Sequence, residues 1–345
     1  MNNLGYKLSF GPWNISEGAD PFGPPVRPTL AFADKLGCFT SLGFDAVQFH
    51  DDDAVPNAPS KSLNELRSES KEMKKVLDDT GLVAEFVAPR LWESPDGIDG
   101  AYTANDGKIR AKAIERSKRS VDIAHALGCN ILVLWFAREG TYIRESKNAL
   151  AAYGHLLEAI NAILAYDKSI EIAIEPKPNE PMDHAYTPTI GHALTLAHRS
   201  NDPSRVGGLI ESAHAILAGL DPSDEMAFAL AENKLYSVHL NDQNGLKFDQ
   251  DKAFGAANLR VAFNQVRVLE QANYAKSGRM VGLDVKAMRT QKAEVATAHL
   301  ANSRKTFLAL VEKVRSFDTK REEHLRAERN YEVLEQLVLD HLMGI

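Results

Sequence analysis

Cysteine is scarce in this chain: Cys38 and Cys129 are the only two, and they form no Cys-x-x-Cys pair. A zinc ribbon and a thioredoxin-like redox motif are thereby argued against. Each cysteine stands in a Leu-Gly-Cys context, Cys38 within a helical run and Cys129 where a helix gives way to a strand, and both read as small core residues. Positive charge is also in deficit. Forty Lys and Arg against 47 Asp and Glu leave a net charge of −7, so the basic footprint of a nucleic-acid partner is missing. No apolar stretch of about 18 residues is expected to span a bilayer. Met1-Asn2-Asn3 leads directly into a short strand-like run, without a signal-peptide pattern. A cytoplasmic protein without a membrane partner is the expectation. No Gly-rich phosphate loop follows the last strand candidates, and no internal repeat or low-complexity tract is present.

What is there is an ordinary globular composition, 44% hydrophobic and 25% charged over 345 residues. A chain of this length buries a core that needs no disulfide. Strand candidates fall at 6–10, 46–49, 83–87, 131–135, 170–175, 206–210, 235–240 and 280–284. Amphipathic segments at 29–42, 62–80, 108–127, 147–166, 189–199 and 261–272 carry apolar residues at i, i+3 and i+4. Gly43, Gly81 and Gly128 each follow a helical run where a left-handed C-cap is wanted. Alternating βα units imply a parallel sheet, and eight of them favour closure into a (β/α)8 TIM barrel. Residues 286–317 read as one long helix and 318–345 as a charged helical tail. The division expected is a catalytic barrel at 1–317 with a C-terminal helical arm at 318–345. Tyr331, Leu334, Leu337, Val338 and Leu342 have no evident partner in a finished barrel, which suggests that the arm packs on a neighbouring subunit.

The chemistry collects at strand ends. Glu175 closes the fifth strand candidate, Glu211 the sixth and Asp284 the eighth, while Phe248-Asp249-Gln250-Asp251 follows the seventh. The carboxyl-end rim of a barrel is where active sites sit. Glu211 and His214 are three apart and meet if the chain turns helical there. Asp249 and Asp251 are two apart and face one way in extended chain. Oxygen donors with a single imidazole suit Mg²⁺ or Mn²⁺, with Co²⁺ as a third candidate, better than Zn²⁺. Five carboxylates at one rim repel one another unless cations balance them, and two divalent ions sharing Glu211 would do so. His50 ends the second strand, and Asp53 is near enough to orient its ring for proton transfer at a substrate oxygen. Lys177, framed by Pro176 and Pro178, is placed to stabilise a developing oxyanion. Lys286, two residues beyond Asp284, reads as a charge balancer. Trp13, Trp92 and Trp135 fall at the rim, where aromatic walls beside carboxylates suit a sugar.

These motifs together resemble the xylose isomerases. The resemblance runs from about Phe10 into the tail. It is carried by Phe49-His50-Asp51-Asp52-Asp53, Leu134-Trp135, Arg138-Glu139-Gly140, Glu175-Pro176-Lys177-Pro178-Asn179-Glu180-Pro181, Thr189-Ile190-Gly191-His192-Ala193, Glu211-x-x-His214, Phe248-Asp249-Gln250-Asp251 and Asp284-x-Lys286. It implies a metal-dependent aldose–ketose isomerase on a (β/α)8 barrel, taking D-xylose to D-xylulose by ring opening and a two-metal-assisted hydride shift. Glu175, Glu211 and Asp284 would hold one ion, and Glu211, His214, Asp249 and Asp251 the other. His50 with Asp53 would open the ring, and Lys177 would bind the carbonyl oxygen. Trp13, Trp92 and Trp135 would wall the site. Phe22, in Asp20-Pro21-Phe22-Gly23, resembles an aromatic that such enzymes insert into a neighbour's site, and the resemblance implies a homotetramer. The chain departs from the pattern at Asn241 of His239-Leu240-Asn241-Asp242, where the family carries a metal-ligating Asp. Asn241 can still ligate through its oxygen, or Asp242 can swing in. Trp92 replaces a usual phenylalanine, Met182-Asp183-His184 replaces a more polar stretch, and both the loop before Asp249 and the tail are shorter than usual.

Overall fold

The computed structural model describes residues 3–20 and 22–345. Met1 and Asn2 of the leading run and Pro21 of the Asp20–Gly23 motif lie outside them. Eight strands form a closed parallel barrel: β1 (Leu8–Phe10), β2 (Ala46–His50), β3 (Val83–Ala88), β4 (Ile131–Trp135), β5 (Glu171–Glu175), β6 (Val206–Glu211), β7 (Leu235–Leu240) and β8 (Val281–Leu283). They pair in chain order, and Leu8 opposite Val281 closes β1 onto β8. All eight expected strands are present. An antiparallel ribbon, Gly140–Thr141 with His184–Ala185, is added on the rim.

The surrounding helices are α1 (Phe32–Ser41), α2 (Leu63–Thr80), α3 (Gly107–Leu127), α4 (Ala149–Tyr166), α5 (Ile190–Arg199), α6 (Pro222–Ala231), α7 (Leu259–Gln271) and α8 (Ala298–Arg315). Their ends follow local chemistry. Ser62 and Glu65 close a reciprocal capping box on α2. Gly43, Gly81 and Gly128 all take the left-handed conformation, with φ of 79°, 74° and 84°. Helix α6 lies outside the expected helical segments, although the Ser223 N–H donates to Asp221 Oδ1 and Pro222 opens the helix.

Between barrel and helices lies one apolar core. A smaller cluster fills the barrel interior, with Phe86, Val133, Leu209 and Tyr236 among its members. Beneath it Glu85 is buried and accepts from Ser9, from Gln48 Nε2 at 3.2 Å and from Ser237 Oγ at 2.6 Å. This polar plug satisfies its carboxylate inside the barrel.

Two expectations are corrected, on residues 286–317 and on membrane-crossing length, and three tail residues find a partner in their own chain. Residues 286–317 do not form one helix, since α8 begins only at Ala298. Buried Arg27 takes the carbonyls such a helix would need, donating to Met288 O at 3.0 Å and Gln291 O at 2.9 Å. The tail forms α9 (Thr319–Ala327) and α10 (Tyr331–Met343) and folds back on its own barrel. Val338 is buried, and Leu337 and Leu342 pack against the same core. His341 Nε2 lies 2.7 Å from Lys313 O, and Lys313 Nζ donates to His341 O at 2.6 Å. Finally, α4 does have the length and composition of a membrane-crossing helix, at 18 residues. In this fold it lays Leu156, Ile160 and Ile163 on the barrel. Cys129 is buried as expected, while Cys38 is only half-buried, and both are free thiols.

Candidate active site

A cleft of about 490 Å³ opens at the carboxyl ends of the strands, lined by His50, Lys177, Glu211, Asp249 and Asp284 among others. Backbone geometry delivers each group. Glu175 and Glu211 are the last residues of β5 and β6, and Asp284 stands one residue past β8. A helical turn, Ser212–Leu217, starts directly after Glu211 and folds His214 back, with its Nε2 3.3 Å from Glu211 Oε1. Asp249 and Asp251 do converge on Glu211, though not through an extended chain, because Asp251 has φ of 44°.

The donor set fits divalent cations. Three groups of ligand atoms each lie within 4.8 Å of one another and share Glu211: Glu175 with His214, His239 with Asp284, and Asp249 with Asp251. His214 supplies the clearest sign. Its Nδ1 lies 3.1 Å from Pro176 O, and a carbonyl only accepts, so Nδ1 carries a proton. Nε2 then faces Glu211 at 3.3 Å and Asp249 Oδ2 at 3.1 Å, donating to them as an imidazolium and offering a lone pair once the ring is neutral. An imidazole nitrogen aimed among carboxylate oxygens is placed to ligate a cation that takes the proton's place. Buried Asp249 Oδ1 and both ring nitrogens of His239 have no hydrogen-bond partner.

The titration behaviour agrees with a cluster short of positive charge. Burial, with the charges of Asp249 and Asp284, pushes the Glu211 carboxyl well above its usual range. Burial and Asp249 do the same to Asp251, and burial also raises Asp284. Burial alone would depress His239, but Glu175, Glu211 and Asp284 at 3.7–3.8 Å outweigh it and hold its pKa well up. Asp249 goes the other way. Lys177 and His214 overcome its burial and hold it well below the carboxylate range. Lys177 Nζ donates to Asp249 Oδ2 at 2.8 Å and lies 5.4 Å over the Trp135 ring. Lys286 pairs with Asp251 at 2.5 Å, the charge-balancing position expected of it.

An aromatic wall closes one side. Trp13 lies over His50 at 4.4 Å between ring centroids, and its Nε1 donates to Asp284 Oδ1 at 2.9 Å. Trp92 meets His50 edge-on at 5.1 Å and Trp135 at 4.5 Å. His50 and Asp53 form a reciprocal cap on the short turn Asp51–Ala54, with Nδ1 2.9 Å from Asp53 Oδ2. Phe22 does not join the cleft of its own chain, where it is 88% exposed.

Asn241 is brought to the cluster, but not with the oxygen expected of a ligand. Its Oδ1 accepts the Ala213 N–H at 2.7 Å, and its NH₂ donates to Glu211 Oε1 at 2.8 Å and Asp284 O at 2.9 Å. The opposite rotamer would set NH₂ against N–H and oxygen against two acceptors, so the orientation is forced. Asp242 does not swing in either, because it accepts from Gln243, Ala257 and Asn258 N–H groups and fastens the loop ahead of α7. Two residues of the cleft lie outside the expected set. His239, between three carboxylates, had a readable signal as the inward residue before Asn241. Arg90, beside His50, had none.

Comparison with known proteins decides the family. A family model described as "Xylose isomerase-like TIM barrel" matches residues 40–304. The xylose isomerase of Thermus thermophilus is 34% identical over 318 residues, covering 90% of this chain and 81% of that protein. The chain belongs to the xylose isomerase-like TIM-barrel family. It is a xylose isomerase-like enzyme. Among solved structures, a D-tagatose 3-epimerase-like protein superposes with a TM-score of 0.62 at 15% identity, covering 89% of this chain and 98% of its own. A xylose isomerase domain protein from Alicyclobacillus acidocaldarius gives 0.62 at 14% identity, with coverage of 89% and 99%. At such identities the likeness is one of fold, and that fold is shared by members with different sugar chemistry.

Proposed function

We propose that this chain is a metal-dependent aldose–ketose isomerase acting on D-xylose or a close relative. The observation that carries the reading is the Glu211-centred set of donors, with Lys177 beside it and the tryptophan wall opposite. Glu175, Glu211 and Asp284 would hold one divalent ion, and Glu211, His214, Asp249 and Asp251 a second, with Mg²⁺ or Mn²⁺ the best match and Co²⁺ the next. When bound, such ions supply Lewis acidity toward oxygens on adjacent carbons of the sugar. Asn241 stands outside the ligand set in this reading and fixes Glu211 from behind.

His50, held by Asp53, assists ring opening. Lys177 donates a hydrogen bond to the carbonyl oxygen of the open-chain sugar and stabilises charge developing there. Trp13, Trp92 and Trp135 keep water from the carbons between which hydrogen moves. Trp13 also steadies Asp284 through its indole N–H. The exposure of Phe22 fits insertion into a neighbouring subunit, and a homotetramer in the cytoplasm is part of the proposal. So is the division into a catalytic barrel at 1–317 and a tail at 318–345.

A second reading, an epimerase on the same scaffold, draws support from the sugar epimerases among the fold's solved members. Asp249, Asp251 and Lys177 weigh against it, because they furnish a second ion site and a carbonyl donor that removing a single proton does not need. The deciding experiment is ketose formation from a panel of aldopentoses and aldohexoses, using chelator-stripped protein resupplied with Mg²⁺, Mn²⁺ or Co²⁺. Metal-dependent xylulose formation supports the proposal. Epimerisation of ketoses without aldose conversion replaces it with the second reading.

A further inference from the structure

Arg90 follows Pro89 just beyond β3, on the rim beside His50. Its side chain is tied on every edge. Nε donates to Asp52 Oδ1 at 2.8 Å, Nη1 to Glu93 Oε1 at 3.2 Å and Nη2 to Asp53 Oδ1 at 2.9 Å. Its backbone N–H donates to Asp51 Oδ1 at 3.1 Å. With carboxylates on all edges, the guanidinium is no open receptor for an anionic sugar. One further contact is unaccounted for, since Nη2 also lies 2.8 Å from His50 Nδ1. Asp53 Oδ2 approaches that same ring nitrogen to 2.9 Å.

One imidazole nitrogen offers either a hydrogen or a lone pair, so it cannot satisfy both neighbours. With hydrogen on Nδ1, His50 would donate to Asp53 and press its N–H against the N–H of Arg90. Arginine gives up no proton at ordinary pH, so that conflict does not relax. An imidazolium would set two cations in contact. With the lone pair on Nδ1, the two Nη2 hydrogens go to Asp53 Oδ1 and to His50. Asp53 Oδ2 keeps its own donor, the His50 backbone N–H at 3.1 Å. This is the one assignment in which each of these donors has an acceptor.

We propose that Arg90 holds His50 as the neutral Nε2–H tautomer, so that the imidazole meets the sugar ring oxygen as a hydrogen-bond donor. The inference rests on the proposed role of His50 in ring opening. Asp53 alone would select the opposite tautomer, with a bare Nε2 toward the cleft. Arg90 is therefore a positioning residue that acts through His50 and decides which hydrogen-bonding face the substrate meets.

The test is a long-range proton–nitrogen correlation spectrum of metal-free, sugar-free protein labelled with ¹⁵N-histidine. It is recorded near pH 8, above the ordinary imidazole range of about 6.5, with His50→Gln identifying the peaks. The expected result is a protonated Nε2 and a bare Nδ1 in the wild type, with the two shifts exchanged in Arg90→Met. A wild-type His50 protonated at Nδ1 overturns the proposal without any variant. So does an Arg90→Met spectrum that keeps the wild-type pattern. The readout needs neither metal nor turnover. If no aldose is isomerised while the exchange occurs, the isomerase reading falls and the Arg90 assignment stands.

Discussion

Asn241→Asp replaces one atom and should reverse the sign of a contact at the centre of the cluster. The new carboxylate keeps one oxygen on the Ala213 N–H. The other takes the place of the NH₂, 2.8 Å from Glu211 Oε1 and 2.9 Å from Asp284 O. Two hydrogen bonds are lost, one of them to a carboxylate, which together cost about 3 kcal/mol. Like charges at that separation would add roughly 6 kcal/mol at an effective dielectric of 20, so the new acid or Glu211 retains a proton instead. Chelator-treated Asn241→Asp should therefore lose about 3 kcal/mol against wild type in urea unfolding near neutral pH, with a smaller loss near pH 5, where taking up that proton costs less. Saturating Mn²⁺ should recover the difference, and calorimetric titration should show tighter metal binding than in wild type. Equal stability of the two metal-free proteins would refute the orientation assigned to Asn241, and weaker metal binding by the variant would refute the cation deficit assigned to the cluster.

The same charge deficit predicts a pH dependence. His214 and His239 have raised values in the fold, so their stabilising charge is present below about 6.5 and is lost as pH climbs through the folded values. Glu211, Asp251 and Asp284 are raised too, and they penalise the fold increasingly above the carboxylate range. Metal-free protein should thus lose stability between roughly pH 6 and pH 8 while the metal-loaded protein changes little, and a metal-free protein that gains stability over that window would contradict the assignment. Glu211→Gln should weaken metal binding by more than the 10–100-fold typical of an outer-shell change, as read by titration calorimetry; near-normal affinity would remove Glu211 from the shared position. His50→Asn should slow turnover of cyclic aldose on the order of 10²-fold while sparing open-chain substrate, and equal slowing of both would take ring opening away from His50.

The positions of Glu175, Glu211 and Asp284 were readable from the chain alone because strand ends are local events. A short apolar run stops, an acid follows, and a parallel barrel puts all such ends on one rim. The left-handed glycines after α2 and α3 were readable for the same reason, since a C-cap is decided within one turn. Contacts distant in sequence were not readable. Arg27 unwinds the segment after β8 from some 260 residues away, and no local propensity in residues 286–297 announces it. The tail looked unpartnered because the groove that receives Val338 exists only once the barrel has closed. Asn241 was recognisable as a missing charge, yet which way its amide points depends on Ala213 and Asp284, residues of other strand ends. Arg90 carried no motif, and its place against His50 and Asp53 is set by the pairing of β2 with β3. Sequence by itself determined which groups stand at the rim, because alternation and strand ends follow from neighbouring residues. Tertiary structure decided how those groups face one another, because hydrogen-bond direction and charge balance depend on atoms brought together only by the closed barrel.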